Sequence, residues 1–121
     1  RDFIYVEDIV RGLMRCAIAG KPGDVYNLAR GVETSIIELA ELVNKFSDNP
    51  TAIEFLPARA WDRSGKRFGS TEKAKQQIGF EASVPLSDGL SKTVEWTKQN
   101  LPLIDRCIFR HEPYMNVLTQ V

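Results

Sequence analysis

The chain has 121 residues, one domain by the usual length prior and only just enough for an ordinary core. Its 43% hydrophobic and 26% charged residues make a soluble globular composition and exclude disorder as the main reading. Sixteen Lys and Arg cancel sixteen Asp and Glu, so the charge footprint of a nucleic-acid or anionic-membrane binder is missing, and neither partner is expected.

Phe3 to Val6 is short, β-branched and aromatic, and reads as a buried strand. From Glu7 the period changes. Ile9, Val10, Leu13, Met14, Ala17 and Ile18 fall at helical spacing, with Arg11 and Arg15 on the opposite face. Gly20 and Lys21-Pro22-Gly23 end that helix. Val25 to Ala29 reads as a second strand, followed by an Arg30-Gly31 turn. Ser35 and Glu38 have capping-box spacing at the start of a helix that Ser47-Asp48-Asn49-Pro50 stops. Thr51 to Leu56 is the third expected strand. Pro57 to Gly69 has little periodicity. A short helix from about Thr71 ends at Gly79, and another runs from about Leu86 to Asn100, closed by Pro102. Residues 101–121 read as a tail, loosely helical at most.

The expected fold is therefore α/β, an α+β lobe with a thin sheet of about three short strands and four to five helices. The chain begins at Arg1 rather than Met and runs straight into strand-like sequence, which reads as part of something longer. The helices carry more apolar surface than so small a sheet covers.

No Gly-x-Gly-x-x-Gly or Gly-x-x-Gly-x-x-Gly follows a strand, so no dinucleotide cradle is expected, and there is no Walker loop. One histidine, His111, and two distant cysteines argue against a zinc site, and His111 reads as an ordinary surface or packing residue. Cys16 and Cys107 read as free thiols of a reducing compartment, consistent with a cytoplasmic protein. What remains is an arginine constellation: Arg1 ahead of a strand, and Arg59 with Asp62 in the irregular loop, Arg63, Lys66 and Arg67 close behind. Two converging guanidinium groups neutralise a diphosphate well, although charged loops of this composition are more often simply solvated.

The order and spacing of residues add a resemblance. Arg1-Asp2-Phe3-Ile4-Tyr5-Val6-Glu7-Asp8 resembles the Arg-Asp-(Phe/Tyr)-(Ile/Val)-(His/Tyr)-Val-(Asp/Glu)-Asp segment of the extended short-chain dehydrogenases/reductases. These are the NAD-dependent nucleotide-sugar epimerases and dehydratases, UDP-glucose 4-epimerase among them. Val25 to Leu28, Ser35-Ile36, Glu38-Leu39-Ala40, Pro57-Ala58-Arg59 with Asp62, Ile78-Gly79-Phe80, Gly89-Leu90 and Trp96 continue the likeness to about Gln99.

The resemblance implies that residues 1–100 are the carboxy-terminal nucleotide-sugar-binding lobe of such an enzyme, with a Rossmann-type parent fold. Arg1 and Arg59 would contact the diphosphate of a nucleoside-diphosphate sugar, and Asp62 would lie near its ribose. The family's Tyr-x-x-x-Lys pair is absent: Tyr5, Tyr26 and Tyr114 are followed at that spacing by Ile9, Arg30 and Leu118. The chain is thus expected to be inactive alone and to hold no cofactor, NAD being implied for the full-length parent. The competing expectation is non-enzymatic: a small domain that forms a homodimer, or binds a partner, through the face a Rossmann domain would cover.

Overall fold

The computed structural model describes residues 1–57 and 65–115, with side-chain surroundings through residue 111. Among them are four helices: α1 (Val6–Ala19), α2 (Ile36–Ser47), α3 (Glu72–Ile78) and α4 (Leu86–Met115). α1 packs on α3, and α2 packs on α4.

The expected three-stranded sheet does not form, and the α/β expectation is corrected: among the described residues there is no strand. The β-prone sequences of Phe3–Val6, Val25–Ala29 and Thr51–Leu56 are present, but a ladder needs a second main chain alongside, and none of the three supplies one to another. Val6 is already helical. The nearest thing to a rung is at Arg1 and Thr34, where the Arg1 amino group donates to the Thr34 carbonyl at 2.7 Å and the Thr34 N–H donates to the Arg1 carbonyl at 2.8 Å.

The helix boundaries follow local chemistry closely. Ser35 and Glu38 form the full capping box: the Ser35 hydroxyl accepts from Glu38 N–H at 3.1 Å, and the Glu38 carboxylate accepts from Ser35 N–H at 2.7 Å. α3 stops at Gly79, whose φ of 63° suits a residue without a side chain. The stop expected at Pro102 fails. α4 runs through it for 30 residues, about 45 Å. Proline withholds one N–H from the Lys98 carbonyl, and Lys98 is an exposed residue, where the lost bond costs less than it would in a core.

The core is small. Ala74, Ile78 and Phe80 are buried, with Ile4, Cys16, Tyr26, Leu28 and Ala82 packed against them. α1 meets this cluster with an unexpected face. Asp8 and Gly12 are its buried residues, whereas Val10, Leu13, Met14 and Ile18 of its apolar stripe are exposed, in keeping with helices that carry more apolar surface than this chain covers. Gly12 is required here, because a Cβ would stand 2.8 Å from Leu28 Cδ2 and 3.0 Å from Phe80 Cε2.

Asp8 is fully buried and latches α1 to the segment after α3. Its carboxylate accepts from Ser83 N–H at 3.0 Å, Val84 N–H at 2.9 Å, the Ser83 hydroxyl at 3.2 Å and Arg11 Nη2 at 2.6 Å. Arg11 in turn donates to the Glu81 carbonyl at 2.7 Å and to Ser83 Oγ at 2.9 Å. Burial by itself would raise the Asp8 pKa. The hydrogen bonds from Val84 and Ser83, with the Arg11 charge, outweigh it and hold the carboxyl below its ordinary value.

Candidate functional site

The first cleft to consider opens beside Arg1. It has a volume of about 500 Å³ and is lined by Arg1, Glu33, Thr34, Glu38, Gly65 and Lys66 among others. Three pieces of chain meet there: the amino-terminal segment, the turn that leads into α2, and the stretch that begins at Gly65.

Local chemistry places each side chain. Asp2 accepts from two successive main-chain N–H groups, Arg30 to Oδ1 at 3.0 Å and Gly31 to Oδ2 at 2.8 Å. Gly31 has φ 73°, the left-handed conformation that such a turn needs. The paired main-chain bonds of Arg1 and Thr34 close the other end of the same turn. The Arg1 guanidinium then reaches across the cleft and donates to the Gly65 carbonyl at 2.6 Å. Among the described residues no carboxylate lies within ion-pair distance of it.

The other charges are partly committed. Lys66 stands 3.5 Å from Glu33. Glu38 serves the cap of α2, and hydrogen bonds from the Ser35 N–H and hydroxyl keep its carboxyl below its ordinary value. The lining thus carries two cations, Arg1 and Lys66, and two carboxylates, Glu33 and Glu38, of which Glu33 faces Lys66 and Glu38 serves the cap, so Arg1 is the cation without a carboxylate partner among the described residues.

Of the three site residues expected from the sequence, Arg1 is in this cleft. Arg59 and Asp62 lie outside the described residues, as do Trp61 and Arg63. Gly65, which Arg1 touches, is the first described residue after that loop. Lys66 is in the cleft, and His111 is exposed. Cys16 and Cys107 are free thiols, and among the described residues no group of three His, Cys, Asp or Glu could hold a metal ion. Sequence reasoning missed Asp2 and Asp8. Their signal was present, since both are carboxylates inside the segment that carries the family resemblance.

No family model matches the chain. Among curated proteins it is 33% identical over 96 residues to a UDP-glucose 4-epimerase of Mycolicibacterium smegmatis, covering 79% of this chain and 30% of that protein. It is 36% identical over 101 residues to UDP-glucuronic acid decarboxylase 1 of Danio rerio, covering 84% of this chain and 24% of that protein. Among solved structures, the Bordetella bronchiseptica enzyme WbmF in complex with NAD+ and UDP is 53% identical, with a TM-score of 0.81 over 94% of this chain and 34% of that one. A UDP-glucose 4-epimerase of Thermotoga maritima solved with UDP-glucose is 30% identical, with a TM-score of 0.74 over 84% of this chain and 32% of that one. The chain thus spans about a third or less of these relatives' length.

The residues present do not fit a dinucleotide. The 121 residues hold no glycine-rich strand-to-helix turn and no Tyr-x-x-x-Lys pair, so no chemistry through NAD is assigned to this chain. The architecture and the matching segments nonetheless agree with one group throughout, and the chain belongs to the NAD-dependent epimerase/dehydratase family of short-chain dehydrogenases/reductases.

Proposed function

We propose that this chain is the substrate-binding lobe of a nucleotide-sugar epimerase or dehydratase, gripping the diphosphate of a nucleoside-diphosphate sugar and inactive by itself. Arg1 and Arg59 bind the two phosphates, and Asp62 accepts from the ribose hydroxyls. Guanidinium forks suit phosphate oxygens, and a clamp of two fixes the nucleotide end so that the sugar is presented to chemistry elsewhere. The observation that carries this reading is Arg1, held at 2.6 Å from Gly65 in a cleft of about 500 Å³, Gly65 being three residues after Asp62 in the sequence. Relatives solved with UDP and with UDP-glucose support the ligand class. NAD belongs to the full-length relatives, one of which was solved with it.

Calorimetric titration of the protein with UDP and dTDP, beside the Arg59→Ala variant, tests the assignment. Saturable binding that the variant weakens by about tenfold or more is expected, the loss of one charge-assisted pair. Binding that Arg59→Ala leaves intact contradicts it.

A second reading has its own observation. Val6, Val10, Leu13, Met14 and Ile18 leave one side of α1 apolar and uncovered, Ile18 being 78% exposed. Such a stripe suits assembly, as a homodimer or with a partner domain. A concentration-dependent dimer that shows no nucleotide affinity favours this reading over the first. No helix among the described residues is long and apolar enough to cross a membrane. A cytoplasmic location and the absence of nucleic-acid partners complete the proposal, the latter resting on the zero net charge.

A further inference from the structure

The Arg1 side chain carries the proposed grip, yet nothing in Arg1 itself determines where its guanidinium stands. A long side chain at a chain segment without secondary structure has several rotatable bonds and would sample many positions. Here the main chain beneath it is fixed from two directions. Thr34 exchanges two main-chain hydrogen bonds with Arg1, at 2.7 and 2.8 Å. Asp2 takes two more from Arg30 and Gly31, one to each carboxylate oxygen, at 3.0 and 2.8 Å. The four bonds lock residues 1–2 to residues 30–34 like two ends of one staple. The Asp2 carboxylate is the only side chain in that staple, and it is half-buried.

The geometry points to Asp2 as a positioning residue for Arg1. Resting on the function proposed above, we infer that the Asp2 carboxylate fixes the turn at Arg30–Gly31 and so aims the Arg1 guanidinium into the cleft, without touching the ligand. The two carboxylate oxygens match two adjacent N–H donors, a fit that neither a hydroxyl nor an apolar side chain reproduces. Asparagine keeps one acceptor oxygen and would hold one of the two bonds. Alanine holds neither. The turn has a further reason to depend on Asp2, since residues 30–34 also lead into the capping box at Ser35 that begins α2.

A double-mutant cycle separates positioning from general stability. UDP affinity is measured for the parent protein, Asp2→Ala, Asp2→Asn, Arg1→Ala and the Arg1→Ala/Asp2→Ala pair. Asp2→Ala should weaken binding about fivefold when Arg1 is present and less than about twofold when Arg1 is already alanine, the coupling expected of two residues acting as one unit. Asp2→Asn should fall between parent and alanine. An equal loss in both backgrounds overturns the inference, because Asp2 would then act on the fold or on the ligand directly. The Arg1 Nη1–H resonance, whose nitrogen donates to the Gly65 carbonyl at 2.6 Å, followed by NMR without any nucleotide, keeps the test independent of the proposed function. Its slow solvent exchange and distinct shift should be lost in Asp2→Ala and partly kept in Asp2→Asn. An unchanged resonance in Asp2→Ala overturns the inference even if the parent binds no UDP, whereas a changed one with no UDP binding leaves positioning standing and removes the function.

Discussion

The two sides of α1 invert the usual rule for an amphipathic helix. Its outer side carries Val6, Val10, Leu13, Met14 and Ile18, and all are exposed. Its inner side carries a carboxylate and a glycine, Asp8 and Gly12, and both are buried. The inner side shows how a small core is held when it has few apolar side chains to spend. A fully satisfied carboxylate ties down the Ser83–Val84 segment, and a missing Cβ lets Leu28 and Phe80 come close. The outer side shows the opposite case, apolar surface without a layer to receive it.

The largest expected effect breaks the inner side. Asp8→Ala strips four donors of their acceptor and leaves two of them on main chain that has no other partner, so a loss of about 3 kcal/mol in urea unfolding is expected. A cost below about 1 kcal/mol would mean that water replaces the carboxylate and that the latch is not structural. Gly12→Ala comes next. The helix gains from alanine by up to about 1 kcal/mol, but the new Cβ meets Leu28 and Phe80 at 2.8–3.0 Å, and a net loss of about 1–2 kcal/mol is expected. Leu13→Ser on the outer side should change monomer stability by no more than about 0.5 kcal/mol, the behaviour of a surface position despite its place in the stripe. A loss near that of a buried leucine would show that the stripe is covered in solution, most simply by a second copy.

Acid sharpens the same contrast. The Asp8 carboxyl titrates below its ordinary value in the folded protein, while the unfolded chain takes its proton near pH 4. The latch therefore contributes fully above about pH 5. Its contribution is lost as the pH falls through the depressed folded value, and Asp8→Asn should flatten this part of the acid-unfolding profile.

Much of this was legible in the sequence where chemistry is local. Ser35 with Glu38, Gly79 and the Asp48-Asn49-Pro50 stop mark helix ends through their own hydrogen bonds and backbone preferences, and they do so in the structure. The three expected strands were overread, because Val25–Ala29 has the right side chains but lacks the neighbouring main chain that would turn propensity into a ladder. The α1 stripe was legible as an apolar face, but not which side of the helix meets the core. Periodicity identifies an apolar face without saying whether this chain contains the surface that covers it. Pro102 was overread as a terminator where an exposed helix tolerates one missing bond. For the cleft, Arg1 was readable from motif order, whereas Asp2 became meaningful only when Arg30 and Gly31 were seen to fold back on it.

The central claim is that the Arg1 side of the molecule, rather than the apolar side of α1, meets the nucleotide. Amide shift mapping of the ¹⁵N-labelled protein with UDP tests it most directly. The account predicts saturable shifts at Thr34, Ser35, Gly65 and Lys66 and quiet resonances from Val10 through Ile18. Shifts concentrated on α1, or none at the cleft when α1 responds, would contradict it.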